Sequence, residues 1–213
     1  AYYLLSQIFI IIAFISVFKF SEDFFNNRNL ALISVLLLEG IYFYNYTSPE
    51  FNVNVCQIPF WTLSILFTWR CIKYDKFIDY FLLGLFIGLG ILSKYLFIYL
   101  AIGIKLLFIY LIYKKRKFKI YHYFIAGFVA LLILSPHLNW LLENNFSTIS
   151  YALQRTGGMG SFVDHFLFPI IFISKQILVL VPFFIMCFFL IKKFKFNLNF
   201  KDEKIVFLFF TVL

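Results

Sequence analysis

The sequence has few charged residues and few cysteines, and it lacks the short motifs of common soluble enzymes. Charged residues make up 14% of the 213 residues, against about 25% in a typical globular domain. This deficit excludes a disordered chain, a nucleic-acid-binding arm and an ordinary cytosolic enzyme. There is no Walker motif, no HExxH, no Ser-His-Asp order and no internal repeat. The three cysteines have no CxxC spacing, so they predict packed apolar side chains rather than disulfides or a zinc site.

Apolar residues take the place of the missing charges. They make up 63% of the chain, and the mean hydropathy is +0.91. These values predict an all-α polytopic membrane protein. The sequence begins and ends inside apolar runs. We therefore expect residues 1–213 to form a single transmembrane domain that is a fragment, truncated at both ends.

The apolar runs predict about six to seven transmembrane helices, since a span needs about 17–25 mostly apolar residues. The run 79–113 would be about 52 Å long as one helix, too long for a hydrocarbon core of about 30 Å. It also contains a lysine near its middle, Lys94. We split it at Ser93-Lys94, and Gly84 and Gly88 in the first half predict close helix packing. The predicted helices are 1–19, 30–46, 53–70, 79–92, 95–113, 121–136, 166–191 and a start at 205.

The cations support this segmentation. If the helices alternate in direction, every Lys and Arg except Lys94, Lys105, Arg155 and Lys175 falls on one side of the membrane. The positive-inside rule makes that side cytoplasmic and predicts a multi-pass protein of the cell (inner) membrane. Basic runs such as 114–119 then indicate topology and contact with membrane lipids, and they do not indicate a nucleic-acid partner.

The opposite, extracytoplasmic side carries a long loop, 137–165, which is functional or partly helical. The stretch Trp140–Gln154 could form a surface helix. His137 begins this loop after Pro136, and a lone histidine is more often structural than a ligand. Arg155 is either a solvated loop arginine or a bidentate contact to a phosphate or carboxylate.

A second polar segment opens the third helix on the same side. Ser48 as N-cap with Pro49 in the first turn would start a helix, and Glu50 in that turn would suit the helix dipole. Helical spacing would put Glu50 and Asn54 on one face. Capping does not explain why Asn52, Asn54 and Gln57 continue into the membrane. A polar substrate site and a purely structural helix start both fit this pattern.

Lys94 allows two interpretations as well. A lysine at a helix break can extend its ammonium group to the membrane interface. It can also supply a cation for a phosphate group at the membrane surface, because a charge inside an apolar run is a functional candidate.

The order of three segments resembles bacterial glycosyltransferase family 39 and related dolichyl-phosphate-mannose-protein mannosyltransferases and aminoarabinose transferases. These segments are TSPEFNVNVCQIPFW, the glycine-rich GLFIGLGILSKY and LSPHLNWLLENNFSTISYALQR. The resemblance covers roughly residues 30–158. It implies a GT-C-like helical bundle.

The resemblance also implies an activity and its substrates. A sugar would pass with inversion from a polyprenyl-phosphate-linked donor to a protein, lipid or glycan acceptor on the extracytoplasmic face. Lys94 and Arg155 would bind the donor phosphate, and Glu50 would be a supporting acidic residue. Asn52, Asn54 and His137 are substrate-site candidates. The main general base would precede Ala1, so the fragment alone should be inactive. No cofactor is firmly implied, and a divalent metal stays open.

Two other functions compete with this one. A transporter or flippase of lipid-linked saccharides would share the hydrophobicity and topology, but it should line a path across the membrane with charges. A structural membrane subunit would leave Glu50, Lys94 and Arg155 without a role.

Overall fold

The computed structural model describes residues 2–114, 119–156, 163–190 and 202–212, and these residues form α-helices joined by short turns, without a strand. The protein is an all-α polytopic membrane protein. The helices are α1 (Tyr2–Phe25), α2 (Arg28–Leu38), α3 (Val53–Tyr74), α4 (Phe77–Ser93), α5 (Ile98–Tyr113), α6 (Ile120–Glu143), α7 (Ser147–Thr156), α8 (Asp164–Leu190) and α9 (Glu203–Val212).

Five of these helical segments are long and apolar enough to cross a membrane, namely Tyr2–Phe25, Val53–Tyr74, Tyr95–Tyr113, Tyr121–Glu143 and His165–Leu190. Helix α4 has 17 residues and is also apolar, which puts it at the lower limit for a span. The predicted break inside the run 79–113 is confirmed, because α4 ends at Ser93 and a 3-10 turn begins at Tyr95.

The predicted helix boundaries differ most from the structure at the ends of α2 and α6, where the predictions are wrong. Helix α2 ends at Leu38, not at Tyr46, because the chain turns at Gly40 into a 3-10 turn over Tyr42–Tyr44. Helix α6 does not end at Pro136 but continues to Glu143. A proline cannot donate to the carbonyl of the residue four positions earlier, here Leu132. The Ser135 hydroxyl donates to that carbonyl instead, at 2.8 Å, so the helix continues without an unpaired acceptor.

The ends of the helices meet at two opposite ends of the bundle. Asp23 at the end of α1 contacts Lys73 at the end of α3, and Asp75 after α3 contacts His122 at the start of α6. We call this end of the bundle the basic end. At the opposite end, Lys94 after α4 contacts Asn54 at the start of α3. We call this the Lys94 end.

Small residues bring the central helices together. A Cβ atom added at Gly84 of α4 would collide with the carbonyl oxygen of Ala126 in α6, and one at Gly88 would lie 2.9 Å from Cβ of Ile133. The predicted small-residue packing is therefore confirmed, since only glycine permits this approach of two backbones.

Aromatic side chains fill the core near the basic end. Phe207 of α9 is fully buried, and its ring lies 5.2 Å from that of Trp69 in α3 and 5.7 Å from that of Phe20 in α1. Helix α8 has no buried residue in its apolar window. It lies against the turn after α2, where Gly40 contacts Phe183, and its remaining apolar surface suits contact with lipid chains.

Candidate functional site

The break between α4 and α5 places Lys94 at the end of the bundle. The backbone of Lys94 is extended, and its N–H donates to the Gly90 carbonyl at 3.1 Å. The Ser93 hydroxyl donates to the same carbonyl at 2.6 Å. The Phe97 ring packs so closely on Gly90 that no side chain fits there. This local packing fixes where the helix ends and so where the lysine emerges.

The ammonium group of Lys94 has a neutral partner. Its Nζ donates to Oδ1 of Asn54 at 2.8 Å, and the lysine is half-buried. Among the described residues, no carboxylate lies within 4.0 Å of this ammonium group. An amide oxygen orients the cation without cancelling its charge. The charge therefore stays available to an anion.

Helix α3 begins at Val53, where the predicted span 53–70 begins. Its N-cap is Asn52, whose Oδ1 accepts from the N–H groups of Asn54 at 2.9 Å and Val55 at 3.2 Å. The predicted Ser48 cap is wrong, because the Ser48 hydroxyl donates to the carbonyl of Asn45 at 2.8 Å. Asparagine is as good an N-cap as serine. The amide oxygen of Asn52 thus has a structural partner, and the Asn54 amide points to Lys94.

Glu50 lies two residues before the N-cap and is exposed. The prediction that Glu50 and Asn54 share a helix face is wrong, because the helix starts only at Val53. The turn that carries Glu50 rests on α1, where the Ser6 hydroxyl donates to the Pro49 carbonyl at 3.5 Å. The structure places Glu50 at the Lys94 end but gives it no contact with Lys94 among the described residues.

The segment between α2 and α3 is also held by aromatic packing. The Tyr44 ring stacks on Phe14 of α1 at 6.0 Å. Burial raises the pKa of the Tyr44 hydroxyl above its ordinary value of 10.0, because the charged form loses solvation. The hydroxyl therefore ionises less readily than that of a solvent-exposed tyrosine.

A small cavity adjoins the start of α3. It has a volume of about 110 Å³, and its walls are Phe43, Thr47, Asn52, Asn54, Val55 and Ile58. Ligand sites usually enclose about 300–1,000 Å³. This cavity is therefore too small to enclose a lipid-linked sugar.

A second polar group lies beside Lys94. The Tyr95 hydroxyl is 2.6 Å from Nε2 of His137 and 2.9 Å from the Thr148 hydroxyl. The His137 ring stacks on Trp140 at 5.8 Å with an interplanar angle of 12°. His137 therefore sits inside α6, within residues predicted as the loop 137–165. The Tyr95 hydroxyl links the helix break to both α6 and α7.

Sequence reasoning found His137 but missed Tyr95 and Thr148. The available signal was the position of Tyr95, directly after the lysine at the predicted helix break. The predicted surface helix Trp140–Gln154 is shifted, since the structure has α7 at Ser147–Thr156 and Trp140 belongs to α6.

Arg155 lies in the last turn of α7, but its side chain is outside the described residues, so its contact with a phosphate stays a prediction. Within the described part of the chain, no group of three or more His, Cys, Asp or Glu side chains could hold a metal ion.

A cation without a carboxylate partner, at one end of an all-helical membrane bundle, is a candidate site for an anionic ligand. Residues 1–140 match the model of the dolichyl-phosphate-mannose-protein mannosyltransferase family. The chain belongs to this family and so to the membrane glycosyltransferases. No curated protein and no solved structure matches the chain.

Proposed function

We propose that the protein transfers a sugar from a polyprenyl-phosphate-linked donor to an acceptor hydroxyl at the Lys94 end, and that this end faces the extracytoplasmic side of the cell membrane. One observation carries the proposal. Lys94 emerges at a helix break with a neutral hydrogen-bond partner, so its charge is free to bind the donor phosphate. Family membership favours transfer over transport of lipid-linked saccharides.

The charge of the phosphate explains why a lysine would help the reaction. When the acceptor oxygen attacks the anomeric carbon, the bond from that carbon to the phosphate oxygen breaks. The donor phosphodiester carries one negative charge, and the departing polyprenyl phosphate gains a second. A cation beside the phosphate stabilises this developing charge more than the ground state, which lowers the barrier.

The other polar residues take supporting roles in the proposal. Asn54 orients Lys94, and Asn52 fixes the start of α3 beside it. Glu50 is a supporting acidic residue near the transfer site, as the resemblance implies. The main general base that removes the acceptor proton is not assigned to a residue of this sequence.

Removing the lysine tests the proposal in the full-length protein. Purified protein in liposomes would be given labelled polyprenyl-phosphate hexoses and pentoses, and transfer would be measured. A hydrogen bond to a charged group contributes about 1.5–3 kcal/mol, so Lys94→Met should lower transfer by about 10- to 150-fold. Lys94→Arg should keep more activity, and Lys19→Met, at the basic end, should match the wild type. Wild-type transfer by Lys94→Met would contradict the assigned role of Lys94.

The orientation needs its own test. In a variant with Cys56, Cys71 and Cys187 replaced by alanine, single cysteines would be introduced by Ser150→Cys in α7 or Arg28→Cys at the basic end; both positions are exposed. A membrane-impermeant maleimide added to intact cells should label position 150, and position 28 only after the membrane is opened. The reverse pattern would overturn the extracytoplasmic assignment.

A further inference from the structure

An open apolar groove lies between α4, α5 and α6, away from the Lys94 end. Its volume is about 540 Å³, which is within the usual range for a ligand site. Its walls include Leu83 and Ile87 of α4, Ile104 and Lys105 of α5, and Tyr123 and Leu131 of α6. We call it the lipid groove.

The lipid groove has the depth of one membrane leaflet. At 1.5 Å per residue, Tyr123 lies about 4.5 Å and Leu131 about 16 Å from the start of α6 at the basic end. Half of a hydrocarbon core of about 30 Å is about 15 Å. The groove therefore runs alongside lipid chains whose headgroups lie at the basic end.

One wall of the groove carries a charge. Lys105 lies about 12 Å from the end of α5 at Tyr113, and it lines the groove as an exposed residue. Within the described part of the chain it has no ion pair and no hydrogen bond. An unpaired lysine at this depth is energetically unfavourable. An anionic partner that enters from the basic end would offset that cost.

The groove also has free space and further cations at its polar end. A Cβ atom added at Gly127 would meet no atom within 4 Å, so this glycine leaves the groove floor open. Lys114 follows α5 and Lys119 precedes α6, so both lie at the basic end of the two helices that carry the groove, at headgroup depth. Cations between helices at this depth favour acidic lipid headgroups.

From these observations we propose that the lipid groove is a binding site for an anionic phospholipid. One acyl chain lies along Gly127, and the phosphate is held by Lys105 together with Lys114 and Lys119. The site is separate from the transfer site, and the proposal does not depend on the transfer reaction.

The proposed binding of an anionic phospholipid can be tested by native mass spectrometry of the full-length protein. Phosphatidylglycerol and phosphatidylcholine with the same acyl chains would be compared. We expect the wild type to retain phosphatidylglycerol at least about fivefold more strongly. Lys105→Met should lose most of this preference and still bind both lipids weakly. Gly127→Leu should fill the groove and lose both. Lys175→Met, on the exposed α8, should behave as the wild type.

Three results would overturn the proposal. Equal retention of both lipids by the wild type would mean that the groove holds annular lipid without selectivity for the headgroup. An unchanged preference for phosphatidylglycerol in Lys105→Met would show that Lys105 does not bind the lipid phosphate. Displacement of phosphatidylglycerol by polyprenyl phosphate at equal concentration would assign the groove to the donor lipid. If Gly127→Leu fails to fold, which gel filtration would show, the comparison with Lys105→Met still decides between these outcomes.

Discussion

The two ends of the bundle contain similar polar residue types but use them differently. At the basic end, opposite charges meet: Lys73 Nζ lies 3.5 Å from Asp23 Oδ1, and Arg70 Nε lies 3.1 Å from Asp79 Oδ1, as an ion pair without hydrogen-bond geometry. At the Lys94 end, the cation meets an amide, and Glu50 is exposed. Paired charges tie helices together, whereas an unpaired charge is left to bind a ligand.

The turn after α3 shows how the basic end is fixed. Asp75 is left-handed, with φ 48°, a conformation that aspartate tolerates better than most residues. Its carboxylate accepts from the Tyr80 hydroxyl at 3.1 Å and from the Lys119 N–H at 3.1 Å, and it lies 3.4 Å from Nδ1 of His122. One side chain thus joins the ends of three helices.

Breaking this junction should give the largest effect on stability. Asp75→Ala removes the carboxylate that these three groups contact and puts alanine in a left-handed conformation, so we expect a loss of about 2–4 kcal/mol. The thermal unfolding midpoint in detergent would measure it. Asp75→Asn, which keeps one carbonyl oxygen and tolerates the conformation, should lose less than half as much.

Transfer per folded molecule should stay within about twofold of the wild type in Asp75→Ala, because the junction is remote from the Lys94 end. A variant of wild-type stability, or one that lost transfer without losing stability, would contradict the structural role of the basic end.

The opposite result is expected at Glu50. Glu50→Gln removes a charge from an exposed side chain, so the unfolding midpoint should not change. If Glu50 supports catalysis as proposed, transfer should fall by about tenfold, equivalent to about 1.4 kcal/mol. Glu143→Gln, at the end of α6 on the same side of the bundle, is the matched control. Unchanged transfer in Glu50→Gln would show that this carboxylate does not support catalysis.

A smaller effect is expected where α7 contacts the rest of the bundle. Tyr95→Phe keeps the ring but loses the hydroxyl that contacts His137 and Thr148, which should cost about 1 kcal/mol. Hydrogen exchange would show it as faster exchange in α7, with α3 and α4 unchanged. Tyr99→Phe, an exposed tyrosine in α5, should leave exchange in α7 as in the wild type. Equal protection of α7 in both variants would mean that the tyrosine hydroxyl does not hold this helix.

Part of the site could be predicted from sequence because its signals are local. A lysine inside an apolar run too long for one span marks a helix break, and the structure has that break at Ser93-Lys94. The contact of Lys94 with Asn54 joins residues 40 positions apart. No local pattern specifies which of Asn52, Asn54 and Gln57 the lysine meets, so this pair could not be predicted.

The prediction of helix ends was wrong where two local signals competed. Ser48-Pro49 and Asn52 are both good helix starts, and the contact of the Pro49 turn with α1 coincides with the later start. Pro136 normally ends a helix, but the hydroxyl of Ser135 satisfies the carbonyl that proline leaves unpaired. In both cases the position of the helix end depends on a hydrogen bond, and the helix propensities of single residues do not include it.

The sequence is sufficient to predict a helical membrane protein, because apolar runs of about 20 residues satisfy their backbone hydrogen bonds in lipid as helices. It also determined the glycine face of α4. Which charges are paired is set by the packing of the helices and not by a local pattern. Pairing depends on which helix ends meet, and the packing of Gly84 on Ala126 and of Phe207 on Trp69 sets that arrangement.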